Sequence, residues 1–162
     1  MSTAKTEIII QFDTVLIHAH CPAITLCDIT LLCKTLADTG ISIDLISFIP
    51  TRRTGASLSF SVLSGDVSKV LRTTAQLKNN NSVMRIEVSG GYSKITVRGT
   101  GFLQKTGIAA RFFNAFSQIG SELMLVSASG SAIDVLVRTD ELDKTIAALE
   151  HAFPEAETIY PE

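Results

Sequence analysis

The sequence has no surplus of basic residues and no apolar run long enough to cross a bilayer. Its 162 residues include 14 Lys and Arg against 16 Asp and Glu, which gives a formal net charge of -2. Scattered basic residues without an excess argue against nucleic acid as a partner. Apolar runs such as Ile8 to Ile10 are far shorter than a membrane span, and the N-terminal residues lack the apolar core of a signal peptide. The sequence therefore predicts a cytoplasmic protein that does not enter the membrane.

The cysteines are few and odd in number, which argues against a framework of disulfides. Cys21, Cys27 and Cys33 occur in a chain without an export signal, so we expect reduced thiols. His18 and His20 lie nearby at alternate positions of a predicted strand, which raises the alternative of a metal site. None of the spacings matches a CxxC or HExxH ligand pattern, so we predict packed side chains and neither a metal nor a cofactor.

A small enzyme that uses this cysteine and histidine cluster is a further alternative. Cys21 or Cys27 would be its nucleophile, and a neighbouring histidine would be its base. No local signature of a cysteine enzyme surrounds either residue, so the sequence predicts no catalytic residue.

The most informative part of the sequence runs from Lys94 to Phe116. Ile95 and Val97 alternate with polar residues, which predicts a half-buried strand that stops at the turn Gly99 to Gly101. A helix is predicted to follow from Gly107, because apolar residues recur at spacings of three and four, at Ala109, Phe112, Phe113 and Phe116.

The start of this helix is a predicted anion site. The backbone amides in the first turn of a helix lack intrahelical partners, and the helix dipole adds partial positive charge beside them. Gly107 has no Cβ, so a carboxylate or phosphate could approach the backbone closely. The alternative is an ordinary glycine turn in which Thr106 caps the helix.

Two sharper phosphate-binding motifs do not fit this stretch. A P-loop requires lysine directly after its second glycine, whereas Lys105 stands before Gly107. A dinucleotide fingerprint that began at Gly99 would need a glycine where Gln104 stands. The sequence therefore does not predict a nucleotide site.

Hydrophobic periodicity predicts the same order of elements in both halves of the chain. Ala37 to Ser47 aligns with Ser117 to Ser127, and Val62 to Leu71 aligns with Val137 to Ile146. Helices are predicted after Thr25, Asp66 and Asp140 and at 107–119, and strands at 7–11, 14–20, 41–48, 57–62, 85–88, 93–98, 122–127 and 132–137.

The repeat predicts an α+β fold of two ferredoxin-like βαββαβ repeats. The first repeat is predicted at residues 1–82 and the second at 83–162. A unit of this size buries only a modest fraction of its surface, so we expect the two antiparallel sheets to be packed together.

The second half resembles an ACT domain, and in particular the second ACT repeat of aspartate kinases. The first half resembles an ACT repeat more weakly, through Leu36 to Asp38 and Ile41 to Ser47. The whole chain is similar to the regulatory part of an aspartate kinase, which some bacteria make as a separate subunit. The residues that carry the resemblance in the second half are Val97 to Gly101, Gly107 to Phe113, Leu123 to Ser129, Ile133 to Val137 and Asp140 to Lys144.

The resemblance implies an amino-acid-binding regulatory module that lacks a kinase domain. Domains of this family bind a free amino acid, and this binding changes a linked catalytic domain, so a catalytic partner such as an aspartate kinase is implied. The family also joins sheet edges side by side, which implies a homodimer through strand residues 41–45 and 121–125. The alternative is a structural dimerisation module that binds no ligand.

The resemblance also implies where the ligand binds. In the family the ligand lies between repeats, against the loop before one repeat's first helix and the following strand of another. Carried over, the positions in the second half are Gln104, Thr106, Gly107, Ile108, Ser121, Glu122 and Leu123, and the strand positions in the first half are Ser42, Asp44 and Phe48.

The first repeat departs from the family at the turn before its helix. It has Ile24 to Cys27 where an Asp-x-Pro-Gly turn is typical, and a Cβ at Cys27 would obstruct a carboxylate at the helix end. The site in the first half is therefore expected to be absent or altered.

Overall fold

The computed structural model describes residues 5–21, 26–51, 55–80, 85–100 and 106–160. The helices are α1 Leu26–Asp38, α2 Val67–Asn80, α3 Ile108–Ile119 and α4 Leu142–Ala152. The strands are β1 Thr6–Cys21, β2 Ile46–Thr51, β3 Gly55–Leu63, β4 Arg85–Gly99, β5 Leu125–Ala128, β6 Ala132–Arg138 and β7 Ala156–Ile159. Among the described residues, no helix has the length and apolar content that a bilayer-crossing segment requires.

The chain divides into two compact units that differ from the predicted halves. Unit 1 consists of Met1–Asp13 and Gly91–Glu162, and unit 2 consists of Thr14–Gly90. The predicted division at 82 and 83 assigned the whole N-terminal strand to the first repeat. The beginning of β1 instead pairs in parallel with β7, where Thr6 lies opposite Ala156. Unit 1 is therefore discontinuous in sequence.

Unit 1 has a sheet in the order β7-β1-β4-β6-β5. β6 is antiparallel to both β4 and β5. The helices α3 and α4 bury their apolar sides in one core with this sheet, because branched residues alternate along the strands while the helical residues recur every three or four positions. The fully or almost fully buried members of this core include Ile8, Ile10, Ile95, Val97, Phe112, Val135, Leu149 and Phe153.

Unit 2 has the order β2-β3-β1, and both pairs are antiparallel. The predicted helix after Thr25 is confirmed as α1, whose Ile29, Leu32 and Leu36 are buried while Cys33 packs against the same core. The predicted strand at 57–62 is confirmed as part of β3, in which Leu58, Phe60 and Val62 are buried. Both units therefore have the predicted α+β, βαββαβ organisation.

β1 is one continuous strand, although the sequence predicted two strands on either side of Phe12 and Asp13. Before this point the even-numbered Ile8 and Ile10 are buried, and after it the odd-numbered Val15 and Ile17 are buried. Asp13 has a positive φ of 53°. One residue in this conformation changes which side chains face the core without ending the strand, as in a β-bulge. β1 therefore begins in the core of unit 1 and ends in that of unit 2.

β4 is also continuous, where two strands at 85–88 and 93–98 were predicted. Ile86 packs against the core of unit 2, whereas Ile95 and Val97 are buried in the core of unit 1. Between them Gly91 has φ +83°, a conformation that favours glycine.

β2 starts at Ile46, later than the predicted Ile41. The hydroxyl of Ser61 accepts the backbone N–H of Leu45 at 3.0 Å, and the backbone N–H of Asp44 donates to the Ser61 carbonyl. The backbone N–H of Ser61 also donates to the Leu45 carbonyl at 2.9 Å, so backbone hydrogen bonds continue before Ile46. Because the Ser61 hydroxyl takes the N–H of Leu45, these bonds do not follow the regular pattern of a strand. Ile41 and Leu45 are nevertheless buried.

Candidate functional site

The predicted anion site lies at the N-terminus of α3, in unit 1. The buried face of this helix consists of Ile108, Phe112, Ala115 and Phe116. The predicted stripe was therefore wrong in two members, since Ala109 and Phe113 are exposed. Phe112 is fully buried, and within the helix its ring centroid lies 4.9 Å from that of Phe116 and 5.5 Å from that of Phe113.

Gly107 is the N-cap of α3 and holds a left-handed conformation, with φ +89° and ψ -3°. No side chain among the described residues caps the helix, so the predicted alternative of an N-cap by Thr106 is not what the structure shows. A Cβ at Gly107 would meet no described atom within 4 Å. The space beside the first amides of α3 is therefore open on this side, and glycine is required by the backbone conformation.

Arg111 fixes α3 against the C-terminal end of α4. Its Nε and Nη2 atoms donate to the backbone carbonyl of Ala152, at 3.1 and 2.5 Å. The same guanidinium pairs with Glu155 at 3.1 Å and lies 4.4 Å above the centre of the Phe153 ring. A carbonyl at a helix end lacks an intrahelical donor, so Arg111 satisfies a group that α4 leaves open.

The other predicted residues of the second half lie at the opposite end of α3. Ser121, Glu122 and Leu123 follow the helix directly and precede β5, which starts at Leu125 instead of the predicted Glu122. The twelve residues of α3 span about 18 Å, so Gly107 and Ser121 do not meet within one unit. The structure therefore separates the two parts of the predicted site.

Two of these predicted contacts are parts of the core and not of the surface. Ile108 is buried, and Leu123 packs against the core of unit 1 from a partly buried position. Their side chains face inward, so Ile108 offers a ligand its backbone amide. Glu122 is exposed, as are Thr106 and Gly107.

Ser121 has a buried hydroxyl that faces Glu141. Neither the Ser121 Oγ nor the Glu141 Oε2 has a hydrogen-bond partner of good geometry among the described residues. The pKa of Glu141 is held below its ordinary value by the ammonium of Lys144, 2.7 Å from Oε1, against the effect of burial, and the nearby Ser121 hydroxyl lowers it further. Sequence reasoning did not predict the approach of Ser121 to Glu141, because Glu141 was noted only within the stretch Asp140 to Lys144 that carries the family resemblance.

In unit 2, the predicted positions lie at and before the edge strand β2. Ser42 and Asp44 are exposed on the segment that precedes β2, and Phe48 lies within it at 43% exposure. Phe48 pairs with Leu58 of β3. These three residues therefore share one exposed margin of unit 2.

The predicted residue Gln104 lies outside the described residues, as do Ile24 and Thr25 of the turn from Ile24 to Cys27. His18 accepts or donates a hydrogen bond at 2.8 Å between its Nδ1 and the Ser59 hydroxyl. In the described part of the chain, no group of three or more His, Cys, Asp or Glu side chains could hold a metal ion. Cys27 is exposed on α1. Among the described residues, the hydrogen bond of His18 goes to Ser59 and not to Cys27.

The sequence profile of the ACT domain family matches residues 95–153, which run from β4 through α4. These residues form an ACT domain. The aspartokinase of Bacillus sp. strain MGA3 is 31% identical to the chain over 122 residues. The match covers 74% of this chain and 29% of that relative, so the chain spans less than a third of its length.

Solved structures of the same fold extend over nearly the whole chain. The regulatory subunit of aspartate kinase from Thermus thermophilus, in its ligand-free form, superposes with a TM-score of 0.84 at 16% identity and covers 93% of this chain and 97% of that one. The aspartate kinase from Synechocystis has a TM-score of 0.84 at 21% identity, with 96% of this chain and 28% of that chain covered. The predicted fold and the predicted resemblance are confirmed: residues 95–153 match an ACT domain, and the chain is similar in fold to the regulatory subunit of aspartate kinase.

Proposed function

We propose that this ACT protein binds a free amino acid and thereby regulates a catalytic partner, an aspartate kinase. The ACT match over α3, together with the uncapped start of that helix at Gly107, carries the proposal. The ligand carboxylate lies against the first amides of α3, beside Thr106, Gly107 and Ile108, where the helix dipole favours an anion. Gln104, which precedes them in the sequence, is the remaining residue of this half of the proposed site.

The second half of the site comes from a second copy of the chain in a homodimer. α3 keeps Gly107 and Ser121 of one unit apart, so the amides at Gly107 require a separate strand segment to enclose the ligand, and the family resemblance favours one from a second copy. The residues that the copy would bring are Ser42, Asp44 and Phe48, or Ser121, Glu122 and Leu123.

The homodimer forms through the edge of β2. Among the described residues β2 pairs only with β3. Ile46, Phe48 and Ile49 are 43–57% exposed on this strand. An exposed apolar edge favours pairing with another strand, so β2 replaces the predicted 41–45 segment as the dimer edge. The assembly is cytoplasmic, as the reduced cysteines of the sequence favour.

A thermal-shift panel of the twenty amino acids tests the binding. A ligand that binds only the folded state stabilises it by about 2.7 kcal/mol at a hundredfold excess over its dissociation constant. We expect one amino acid, or a few related ones, to raise the melting temperature. If none does so, the protein is instead a dimerisation module without a ligand.

Gly107→Ala locates the ligand, and Gly91→Ala is its matched control. Gly107 and Gly91 have φ of +89° and +83°, and at both a new Cβ would meet no described atom within 4 Å. Alanine resists this conformation at either position, so both variants should lose on the order of 1 kcal/mol of stability. Only Gly107→Ala places a methyl group beside the amides of α3. It should weaken binding at least tenfold by calorimetry, whereas Gly91→Ala should bind as wild type does.

Undiminished affinity in Gly107→Ala would place the ligand elsewhere in the protein. Equal losses of affinity in both variants would mean that backbone strain, and not contact with the ligand, causes the effect. Either result would overturn the proposed location while leaving the amino-acid panel as evidence for binding.

A further inference from the structure

A cavity of about 350 Å³ lies in unit 1 where β4 ends and β1 begins. Its wall is separate from the residues predicted to bind an amino acid. The described residues that line it are Lys5, Glu7, Arg98, Gly99, Thr100 and Ser131. Two cations and one carboxylate therefore line a space large enough for several water molecules or a small ligand.

The carboxylate in this wall is already neutralised. Glu7, whose side chain is 13% exposed, accepts a hydrogen bond from Arg98 Nε at 2.6 Å and pairs with Lys5 Nζ at 3.0 Å. The pKa of Glu7 lies below its ordinary value, chiefly because of the bond from Arg98 and next because of Lys5. Lys5 also pairs with Glu157, at 3.0 Å.

The polar groups of the wall that lack a partner among the described residues are hydrogen-bond donors. Arg98 uses only its Nε, so its two η nitrogens have no acceptor among the described residues. The ammonium of Lys5 has three protons and two partners, which leaves one proton. Thr100 and Ser131 add hydroxyl groups, and Gly99 contributes no side chain.

Glu7 and Glu157 balance the charges of Lys5 and Arg98, so the unused hydrogen-bond donors, and not a net charge, select the ligand. The η nitrogens of Arg98 that have no acceptor among the described residues favour an acceptor that carries negative charge. The fork of an arginine guanidinium matches a planar carboxylate or a phosphoryl group with two parallel hydrogen bonds. We infer that this cavity binds a small organic oxyanion, held by Arg98 and Lys5. The volume is at the lower end of the range for small-molecule sites and exceeds that of a bare inorganic ion.

Isothermal calorimetry with succinate, citrate and inorganic phosphate tests this site on the full chain. All titrations are made at one ionic strength, because salt screens exposed charges. At least one probe should bind with a dissociation constant of about 1 mM or less. Binding by succinate or citrate identifies a carboxylate ligand, and binding by phosphate alone identifies a phosphoryl ligand.

Arg98→Gln removes the fork, and Arg138→Gln is the matched control. Both arginines lie on strands of unit 1, pair with a carboxylate and have similar exposure, 56% and 57%. Arg138 does not line the cavity. Arg98→Gln should weaken binding at least tenfold, and Arg138→Gln should leave it unchanged. Arg98→Lys should fall between, since it keeps the charge without the fork.

Glu7→Gln should change the affinity for the oxyanion in the opposite direction, and this test does not depend on whether Arg98→Gln folds. It removes the carboxylate that competes with the ligand for Arg98 and Lys5, so the oxyanion should bind severalfold more tightly. The inference fails if no probe binds near 1 mM, if Arg98→Gln binds as wild type does, or if Glu7→Gln weakens binding. An amino acid whose binding is lost in Arg98→Gln and kept in Gly107→Ala would support this cavity and overturn the site at α3.

Discussion

Arg111 joins two helices of the ACT domain, and its removal should destabilise unit 1 more than the loss of an ordinary surface arginine. The side chain is 41% exposed, yet it makes three kinds of contact. It donates to the Ala152 carbonyl, pairs with Glu155 and lies over Phe153. Arg111→Ala removes all three and leaves the carbonyl at the end of α4 without its charged donor.

The expected loss follows from the separate contacts. A hydrogen bond that involves a charged group contributes about 1.5–3 kcal/mol to stability. A half-exposed ion pair adds about 0.2–1 kcal/mol, and the contact with the Phe153 ring about 0.5–1 kcal/mol. The three contacts share one side chain and are not additive, so we expect Arg111→Ala to lose about 2–3 kcal/mol. Glu155→Gln removes only the ion pair and should lose about 0.2–1 kcal/mol.

Urea unfolding followed by circular dichroism measures these losses, and Arg138→Ala is the control. Arg138 is also an arginine of unit 1, and its Nε and Nη2 atoms donate to the carboxylate of Asp140 at 3.0 and 2.7 Å, two residues further along the chain. Arg138→Ala should lose less than half of the unfolding free energy that Arg111→Ala loses. Equal losses in Arg111→Ala and Arg138→Ala would refute the importance of the helix-end carbonyl and the ring.

Two further predictions concern acid stability and assembly. The folded pKa of Glu7 lies below its ordinary value of 4.5, so its pairs stabilise the fold fully above that pH and are lost as the pH falls through the lowered folded value. Wild type should therefore be more stable than Glu7→Gln near neutral pH, and the difference in unfolding free energy should shrink in acid. Urea titrations in which this difference stayed constant down to about pH 3 would contradict the prediction. Phe48→Lys should dissociate the dimer at micromolar concentration by light scattering, whereas Leu63→Lys, at the 50% exposed end of β3, should not. A wild-type monomer, or an intact Phe48→Lys dimer, would contradict pairing through β2.

Local pattern was enough to predict most helices and the type of fold, because their buried residues recur with the period of a helix or a strand. Leu142, Ile146 and Leu149 of α4 are all buried, as their spacing predicts. The pattern was misleading where one residue has an uncommon conformation. Asp13 at positive φ exchanges the buried and exposed positions of β1, so a continuous strand resembles two strands with a break.

The candidate sites were less predictable, because they depend on contacts between residues far apart in sequence. The pair of Glu7 and Arg98 is separated by 91 positions, and no periodicity connects them. The late start of β2 depends on the Ser61 hydroxyl, which no pattern in the segment before Ile46 reveals.

The parallel pairing of β1 with β7 has a consequence for the order of folding. Thr6 lies opposite Ala156, so the sheet of unit 1 closes only when nearly the whole chain is available. Unit 2 is one uninterrupted stretch, Thr14–Gly90, and its contacts involve much smaller separations in sequence. Contacts between distant residues require a larger loss of chain entropy and form more slowly. During synthesis, unit 2 should therefore fold first. The beginning of β1 should stay exposed until β7 has been synthesised and can pair with it.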